Sequence, residues 1–134
     1  MYGFKQYFEN VESKNSFKKI VDDSLKLKSW ITSISSGGTK SNNSKEVNLD
    51  LFSNRVGEFF QIVKQNGLFE ELEKSLAPSG LNSIINVLLA SIRSTYAKDD
   101  EKRFTRQLGK LKYIIETSEM LARRMFYMGT TRGW

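Results

Sequence analysis

Residues 101–128, EKRFTRQLGKLKYIIETSEMLARRMFYM, have the periodicity of one long amphipathic helix. Apolar residues recur at intervals of three and four, as they do along the buried face of a helix in a bundle. The members of this apolar stripe are Phe104, Leu108, Leu111, Ile115, Leu121 or Ala122, and Met125. The segment therefore predicts a long C-terminal helix that packs against other helices.

The opposite side of the same segment carries cations and an aromatic ring. Its residues also step by three or four positions, or by seven at the last step, so their side chains fall in one line along the helix. We call this line the basic row, and it consists of Arg103, Arg106, Lys110, Tyr113, Thr117 and Arg124. Cations in a line have the charge and the shape needed to follow a polyanion such as a nucleic-acid backbone.

Helical periodicity also fills the N-terminal part of the chain. Residues 2–34 predict either a short helix joined to a longer one or a single helix with a polar interruption at residues 12–16. Residues 35–45 contain only serine, glycine, threonine, asparagine and lysine, which bury too little apolar surface to offset the entropy of ordering. We therefore predict a flexible loop at residues 35–47.

The middle of the chain predicts three more helical segments. The first has a full apolar stripe, with Asn48 as its N-cap and Gly67 just beyond its C-terminus. A shorter helix follows from Leu68 to Leu76. Residues 81–96 are apolar on nearly every side, which is typical of the central helix of a bundle.

These segments together predict a single all-α domain over residues 1–134. Four main helices form the bundle, with a possible short N-terminal helix or arm. Asp99 and Asp100 are predicted to cap the last helix, and residues 129–134, which lack periodicity, to form a loose tail that ends in Trp134. The alternation that predicts a half-buried strand does not occur.

Composition argues against catalysis. The chain has no cysteine and no histidine, so it lacks thiolate nucleophiles, the usual general base near neutral pH and the commonest metal ligands. Acidic residues cluster at Asp22-Asp23, at residues 70–73 and at residues 99–101, but neighbours on a helix point to different sides and do not converge on one ion. We expect no enzymatic activity, no metal and no cofactor.

The same composition favours a cytoplasmic protein with no membrane partner. The longest apolar stretch, Ile84 to Ile92, is too short to span a bilayer.

Net charge is +6, and it is distributed as +4 over residues 1–45, −3 over residues 46–78 and +5 over residues 79–134. A basic end beside an acidic middle favours an anionic partner and also self-association between opposite patches.

The sequence therefore suggests a non-catalytic protein that binds the backbone of RNA or DNA without reading bases. The candidate binding residues are Arg103, Arg106, Lys110, Tyr113, Arg123, Arg124, Lys18 and Lys19. Gly109 lies within the same helix, where glycine costs about 1 kcal/mol relative to alanine. It marks either a close approach of a neighbour or phosphate, or a tolerated surface glycine.

Two stretches resemble a known family. Residues 62–72, IVKQNGLFEEL, resemble the turn between helices in the small helical subunit of type III CRISPR effector complexes, and residues 117–126, TSEMLARRMF, are similar to its closing helix. The resemblance covers roughly the second half of the chain. It implies copies stacked along a guide RNA and its target, with backbone contacts made by Arg103, Arg106, Lys110, Arg123 and Arg124.

Two other interpretations are open. The chain has the size and charge of a coat or nucleocapsid protein of an archaeal filamentous virus, whose basic helices wrap DNA; that interpretation predicts a virion location and ordered filaments with long duplex DNA. It also has the charge of a protein-interaction module, an inhibitor or adaptor with an acidic protein partner. Other protein subunits or copies of the chain itself are partners in each case.

Overall fold

The computed structural model describes the backbone of residues 2–41 and 47–131, and the side chains of residues 16–41 and 47–126. Within these ranges the chain forms five α-helices and no strand. They are α1 (Tyr2–Gly37), α2 (Leu49–Gln65), α3 (Phe69–Leu76), α4 (Leu81–Ala97) and α5 (Glu101–Thr131). The predicted all-α bundle of four main helices is confirmed. A short helix, α3, accompanies them, and the N-terminal residues belong to α1 instead of forming a separate short helix or arm.

The two longest helices, α1 and α5, pack more extensively against each other than any other pair. They run antiparallel, because Ser24 of α1 meets Glu119 and Thr32 meets Lys112. Buried side chains between the helices form one continuous core. Its fully buried large members include Ile20, Ile31, Phe52, Val56, Leu72, Ile92, Phe104, Leu108, Leu111 and Ile115.

The prediction that α4 is the central helix is wrong. This helix packs mainly against α5 and buries a single face, formed by Leu81, Ile85, Leu88, Ile92 and Thr95. Its other apolar residues, Ile84 and Val87, are exposed to solvent. The error arises because an apolar helix is central only when enough neighbours surround it, and the sequence of one helix does not reveal how many neighbours it has.

Of the two N-terminal predictions, the single helix is confirmed. α1 continues to Gly37, past the predicted start of the loop at residue 35, and Gly38 ends it with a left-handed φ of +82°. The next residues are held in place, since the Lys40 amide donates to the Tyr96 carbonyl at 3.3 Å. Residues 42–46 of the predicted flexible loop lie outside the described residues.

The predicted cap of α5 is half right. The Asp100 carboxylate accepts the Arg103 amide, at 3.4 Å, as an N-cap should. Asp99 instead accepts bonds from the Ser41 amide and hydroxyl at 2.8 and 2.9 Å, and these bonds lower the pKa of Asp99. It therefore links Ser41, near the start of the loop after α1, to the turn between α4 and α5.

The C-terminal boundary of α5 also differs from the prediction. The helix continues to Thr131, so residues 129–131 of the predicted loose tail are helical. A helix that is already formed gains one hydrogen bond for each residue added, which lets it run into a stretch without apolar periodicity. Trp134 lies outside the described residues. Within the stripe itself, Ala122 rather than Leu121 is fully buried and Met125 is exposed.

Local signals at α2 agree with the sequence. Asn48 accepts the Leu51 amide at 3.0 Å as its N-cap. At the other end, Gly67 has a φ of +73°, and the Leu68 amide bonds the Val63 carbonyl in a Schellman motif. Buried Leu68 then leads into α3.

Among the described residues, no single helix is long and apolar enough to cross a membrane; only α3 and α4 together reach that composition, and they meet at 78°.

Candidate nucleic-acid interface

The basic row is exposed along one side of α5. Arg103, Arg106, Lys110 and Arg124 all lie at the surface, and the ring of Tyr113 is 60% exposed. The remaining member, Thr117, is half-buried, and its hydroxyl donates to the Tyr113 carbonyl at 2.9 Å. The row therefore presents cations and one aromatic ring to solvent, while the hydroxyl of Thr117 is already bonded within the helix.

The cations of the row have no acidic partner in the described part of the chain. No ion pair joins Arg103, Arg106, Lys110 or Arg124 to any carboxylate of residues 16–41 or 47–126. Their charges remain hydrated and available to an external anion.

Spacing divides the row into two groups. Arg103, Arg106 and Lys110 lie within about 10 Å of helix, because an α-helix rises 1.5 Å per residue. From Lys110 to Arg124 the helix rises about 21 Å, and this interval holds Tyr113 and Thr117. Three neighbouring cations thus form a compact group, and Arg124 is a separate contact point farther along the helix.

The flank of α5 that faces α1 is arranged differently. We call its four charged residues, Lys112, Glu116, Glu119 and Arg123, the paired flank. Glu119 is buried, and it receives the Lys28 ammonium at 2.6 Å and the Arg123 guanidinium at 2.9 Å. Burial raises the pKa of Glu119, but the hydrogen bonds from Lys28 and Arg123 outweigh it, so that pKa lies below its ordinary value.

The structure places Arg123 outside the basic row, in an ion pair of the paired flank. Its guanidinium is held by Glu119, four residues earlier, on the flank that faces α1. Lys28, one of the basic residues of the N-terminal helix, is likewise held by Glu119 and lies 3.9 Å from Glu116. Desolvation explains both pairings, because a carboxylate between two packed helices needs cationic partners.

Lys18 and Lys19 are exposed but lie elsewhere. Both are on α1, and Lys19 forms an ion pair with Asp23 at 3.3 Å. Because α1 and α5 are antiparallel, these lysines lie near the C-terminal end of α5, more than about 20 Å along the axis from Arg103. The eight predicted binding residues therefore do not form one surface, and the structure brings together Arg103, Arg106, Lys110 and Tyr113.

An apolar groove borders the basic row. It has a volume of about 730 Å³ and lies between α5, α4 and the end of α3. Leu81, Leu88 and Ile114 form its buried floor. Its exposed walls include Ile84, Val87 and Tyr113, and Arg106 and Lys110 stand along the α5 side.

The sequence of α4 contains a signal for this groove, which the interpretation of α4 as a central helix missed. Ile84 and Val87 fall outside the line of Leu81, Ile85 and Leu88, so the helix has more apolar positions than one buried face needs. Gly109 also lines the groove, and a Cβ built on it meets no atom within 4 Å. Packing inside the chain therefore does not require glycine at this position.

A second groove, between α1 and α2, provides a contrast. Its volume is about 440 Å³, and it contains charges of both signs. Asp23 pairs with Lys19, and Glu58 lies 4.0 Å from Arg55. The groove beside the basic row has cations and no carboxylate in its lining.

Comparison with known proteins adds no assignment: no family model, curated protein or solved structure matches the chain.

Proposed function

We propose that the protein binds the phosphate backbone of a nucleic acid through the basic row of α5, without sequence preference and without catalysis. The observation that supports this is the contrast in charge pairing along one helix. On the paired flank, Glu119 holds Arg123 and also Lys28 of α1, whereas Arg103, Arg106 and Lys110 have no carboxylate partner among the described residues. Phosphates are the natural counter-ions for such a line.

The geometry favours backbone contact over base reading. Arg103, Arg106 and Lys110 lie within about 10 Å on one side of the helix, a spacing that suits successive phosphates. Tyr113 is the one exposed ring of the row, whereas sequence-tolerant stacking along a strand uses several rings.

The resemblance to the small subunit of type III CRISPR effector complexes leads to a narrower proposal. It would place copies of this chain side by side along a guide RNA and its target. A DNA-wrapping coat or nucleocapsid protein is the alternative for the same row, and in either case the assembled copies repeat the row along the polymer. The two proposals differ in the polymer they require, so the binding experiment includes both RNA and DNA.

The test is a titration of labelled RNA and duplex DNA of mixed sequence with the full chain. Replacing Arg103, Arg106 and Lys110 together by glutamate is expected to abolish binding while circular dichroism stays helical. Replacing them by glutamine is expected to lower the slope of log affinity against log salt by about 0.9 per lost phosphate contact on duplex DNA. Filaments on long duplex DNA would favour the coat protein, and selective RNA binding would favour the CRISPR subunit.

A matched control changes the same net charge elsewhere. Lys26, Lys74 and Lys98 are exposed lysines on α1, on α3 and directly after α4, so their triple replacement by glutamate alters total charge equally but leaves the row intact. Binding that falls equally in both triple variants would show attraction by net charge alone. That outcome, or an unchanged titration curve for the row variant, contradicts the proposal.

A further inference from the structure

The groove beside the basic row exposes more apolar surface than the fold requires. Val87 is 65% exposed, Tyr113 60% and Ile84 43%, and they surround a floor made of buried core residues. Ile84 and Val87 are one helical turn apart on α4, and Tyr113 projects from α5. Adjacent exposed apolar side chains that line a concave surface are typical of an interaction site.

The shape of the groove suits a helix. Its walls come from α4 and α5, which are connected by a short turn and pack against each other, and a channel between two packed helices accommodates a third one. Gly109 has no side chain to obstruct this channel, and there is open space where a Cβ would point. A partner helix can therefore approach the backbone of α5 closely.

The charged residues around the groove indicate that its occupant carries acidic groups. Arg106 and Lys110 border the groove, and none of its lining residues is acidic. The groove between α1 and α2 differs, since it contains Asp23 and Glu58 as its own counter-ions. Carboxylates for Arg106 and Lys110 would have to come from the molecule that fills the groove.

We propose that this groove binds an acidic amphipathic helix of a partner protein. Two or three large apolar side chains of that helix, spaced by three or four residues, would rest on Ile84, Val87 and Tyr113. Carboxylates along one edge of the helix would pair with Arg106 and Lys110, as in the helix-in-groove mode of recognition. The site goes beyond the proposed function, because its apolar half makes no use of phosphate.

A protein helix fits better than either other candidate. Ile84 and Val87 have no π face on which a base could stack, and phosphates gain nothing from an aliphatic wall. A second copy of the chain lacks a suitable face among the described residues. Outside the groove, its exposed large apolar residues lie on three different helices, and no two of them are three or four residues apart: Leu25, Leu51, Met120 and Met125. The partner helix is therefore expected to belong to another protein.

The experiment uses a labelled synthetic helical peptide of about four turns, with leucines along one face and glutamates along one edge. Fluorescence anisotropy with the full chain is expected to show saturable binding. Two control peptides carry lysine in place of glutamate or serine in place of leucine, and both are expected to bind roughly tenfold more weakly or worse.

Serine variants of the protein locate the site. Ile84→Ser with Val87→Ser is expected to lower peptide affinity at least about tenfold, whereas Leu25→Ser with Leu51→Ser, at residues of similar exposure outside the groove, is expected to leave it unchanged. All four positions are exposed, so both variants should fold. Neither variant removes a cation, so nucleic-acid titration should stay at the wild-type level and separates this proposal from the first.

The final part of the experiment reverses the charge of the two cations beside the groove. Arg106→Glu with Lys110→Glu is expected to reverse the preference, so that the lysine peptide binds better than the glutamate peptide. Lack of saturable binding by the glutamate peptide, or equal binding by the groove variant, would overturn the proposal. Concentration-dependent dimerisation that is lost in the Ile84 and Val87 variant would overturn it too, because the occupant would then be a second copy.

Discussion

The two flanks of α5 carry similar charged side chains under different physical conditions. On the paired flank, Glu119 is buried against α1 and is bonded by Lys28, Arg123 and Ser24. On the other side of the helix, Arg106 and Lys110 are exposed and have no acidic partner in the described part of the chain. The same helix therefore carries an ion-pair network that contacts α1 and, on another face, a row of cations that contacts no carboxylate of the described residues.

The difference between the two flanks shows where a charged side chain affects the free energy of folding. A carboxylate between packed helices loses water, so cations must replace its hydration. Exposed guanidinium and ammonium groups keep their water and contribute little to folding. Mutations on the paired flank should therefore change stability, and mutations of the row should change binding.

The largest effect on stability is expected from Glu119→Ala. The substitution removes the acceptor for bonds of 2.6 Å from Lys28 and 2.9 Å from Arg123, and it should lower the free energy of unfolding by about 2 kcal/mol. The value stays below that of a fully buried pair because both cations can regain water. Urea denaturation measures it, and a loss below about 0.5 kcal/mol would remove the distinction between the flanks.

Lowering the pH should reveal the same contrast between the paired flank and the basic row. The pKa of Glu119 is lowered in the folded chain, so its contribution is present above the ordinary value of 4.5 and is lost as pH falls through the folded pKa. We expect the stability of the wild type to fall on acidification in this range, and the fall to be shallower in Glu119→Gln. Asp99 shifts in the same direction through Ser41, so the profile is measured in Glu119→Gln, Asp99→Asn and the double variant. Parallel profiles for wild type and Glu119→Gln would contradict the assignment.

Local signals made part of this molecule predictable. The boundaries of α2 follow from an Asn N-cap and a glycine that takes a left-handed conformation, and both depend only on neighbouring residues. Exposure of the basic row also follows from the period of its helix. The pair of Glu119 and Arg123 was equally local, since residues four apart on a helix are neighbours, and the sequence supports it without any structure.

Long-range packing set the limit of prediction. Ser24 and Glu119 lie 95 residues apart, so no local pattern shows that α1 supplies partners to the paired flank. The same limit applies to α4, whose apolar residues predicted a central position. Which of them are buried depends on where α5 and α3 pack, and Ile84 and Val87 remain outside that contact.

Gly109→Ala should raise the free energy of unfolding by about 1 kcal/mol, because alanine is the better helix former and its Cβ meets no atom within 4 Å. Gly57→Ala in α2 is the matched control, since Gly57 is also helical, exposed and free of close neighbours. Both variants are expected to stabilise the chain equally in thermal denaturation. A weaker affinity for the acidic peptide in Gly109→Ala alone would show that the glycine serves the groove; destabilisation by Gly109→Ala would mean that the fold itself needs it.

The smallest effect on stability is expected from the row. Arg106→Ala with Lys110→Ala removes two exposed cations that form no ion pair within the described side chains, so the free energy of unfolding should change by less than about 0.5 kcal/mol. The same double variant should weaken nucleic-acid binding and lower its salt dependence. A loss of stability comparable to that of Glu119→Ala would mean that the row supports the fold, and the two flanks of α5 would then no longer differ in the way that assigns one of them to an external anion.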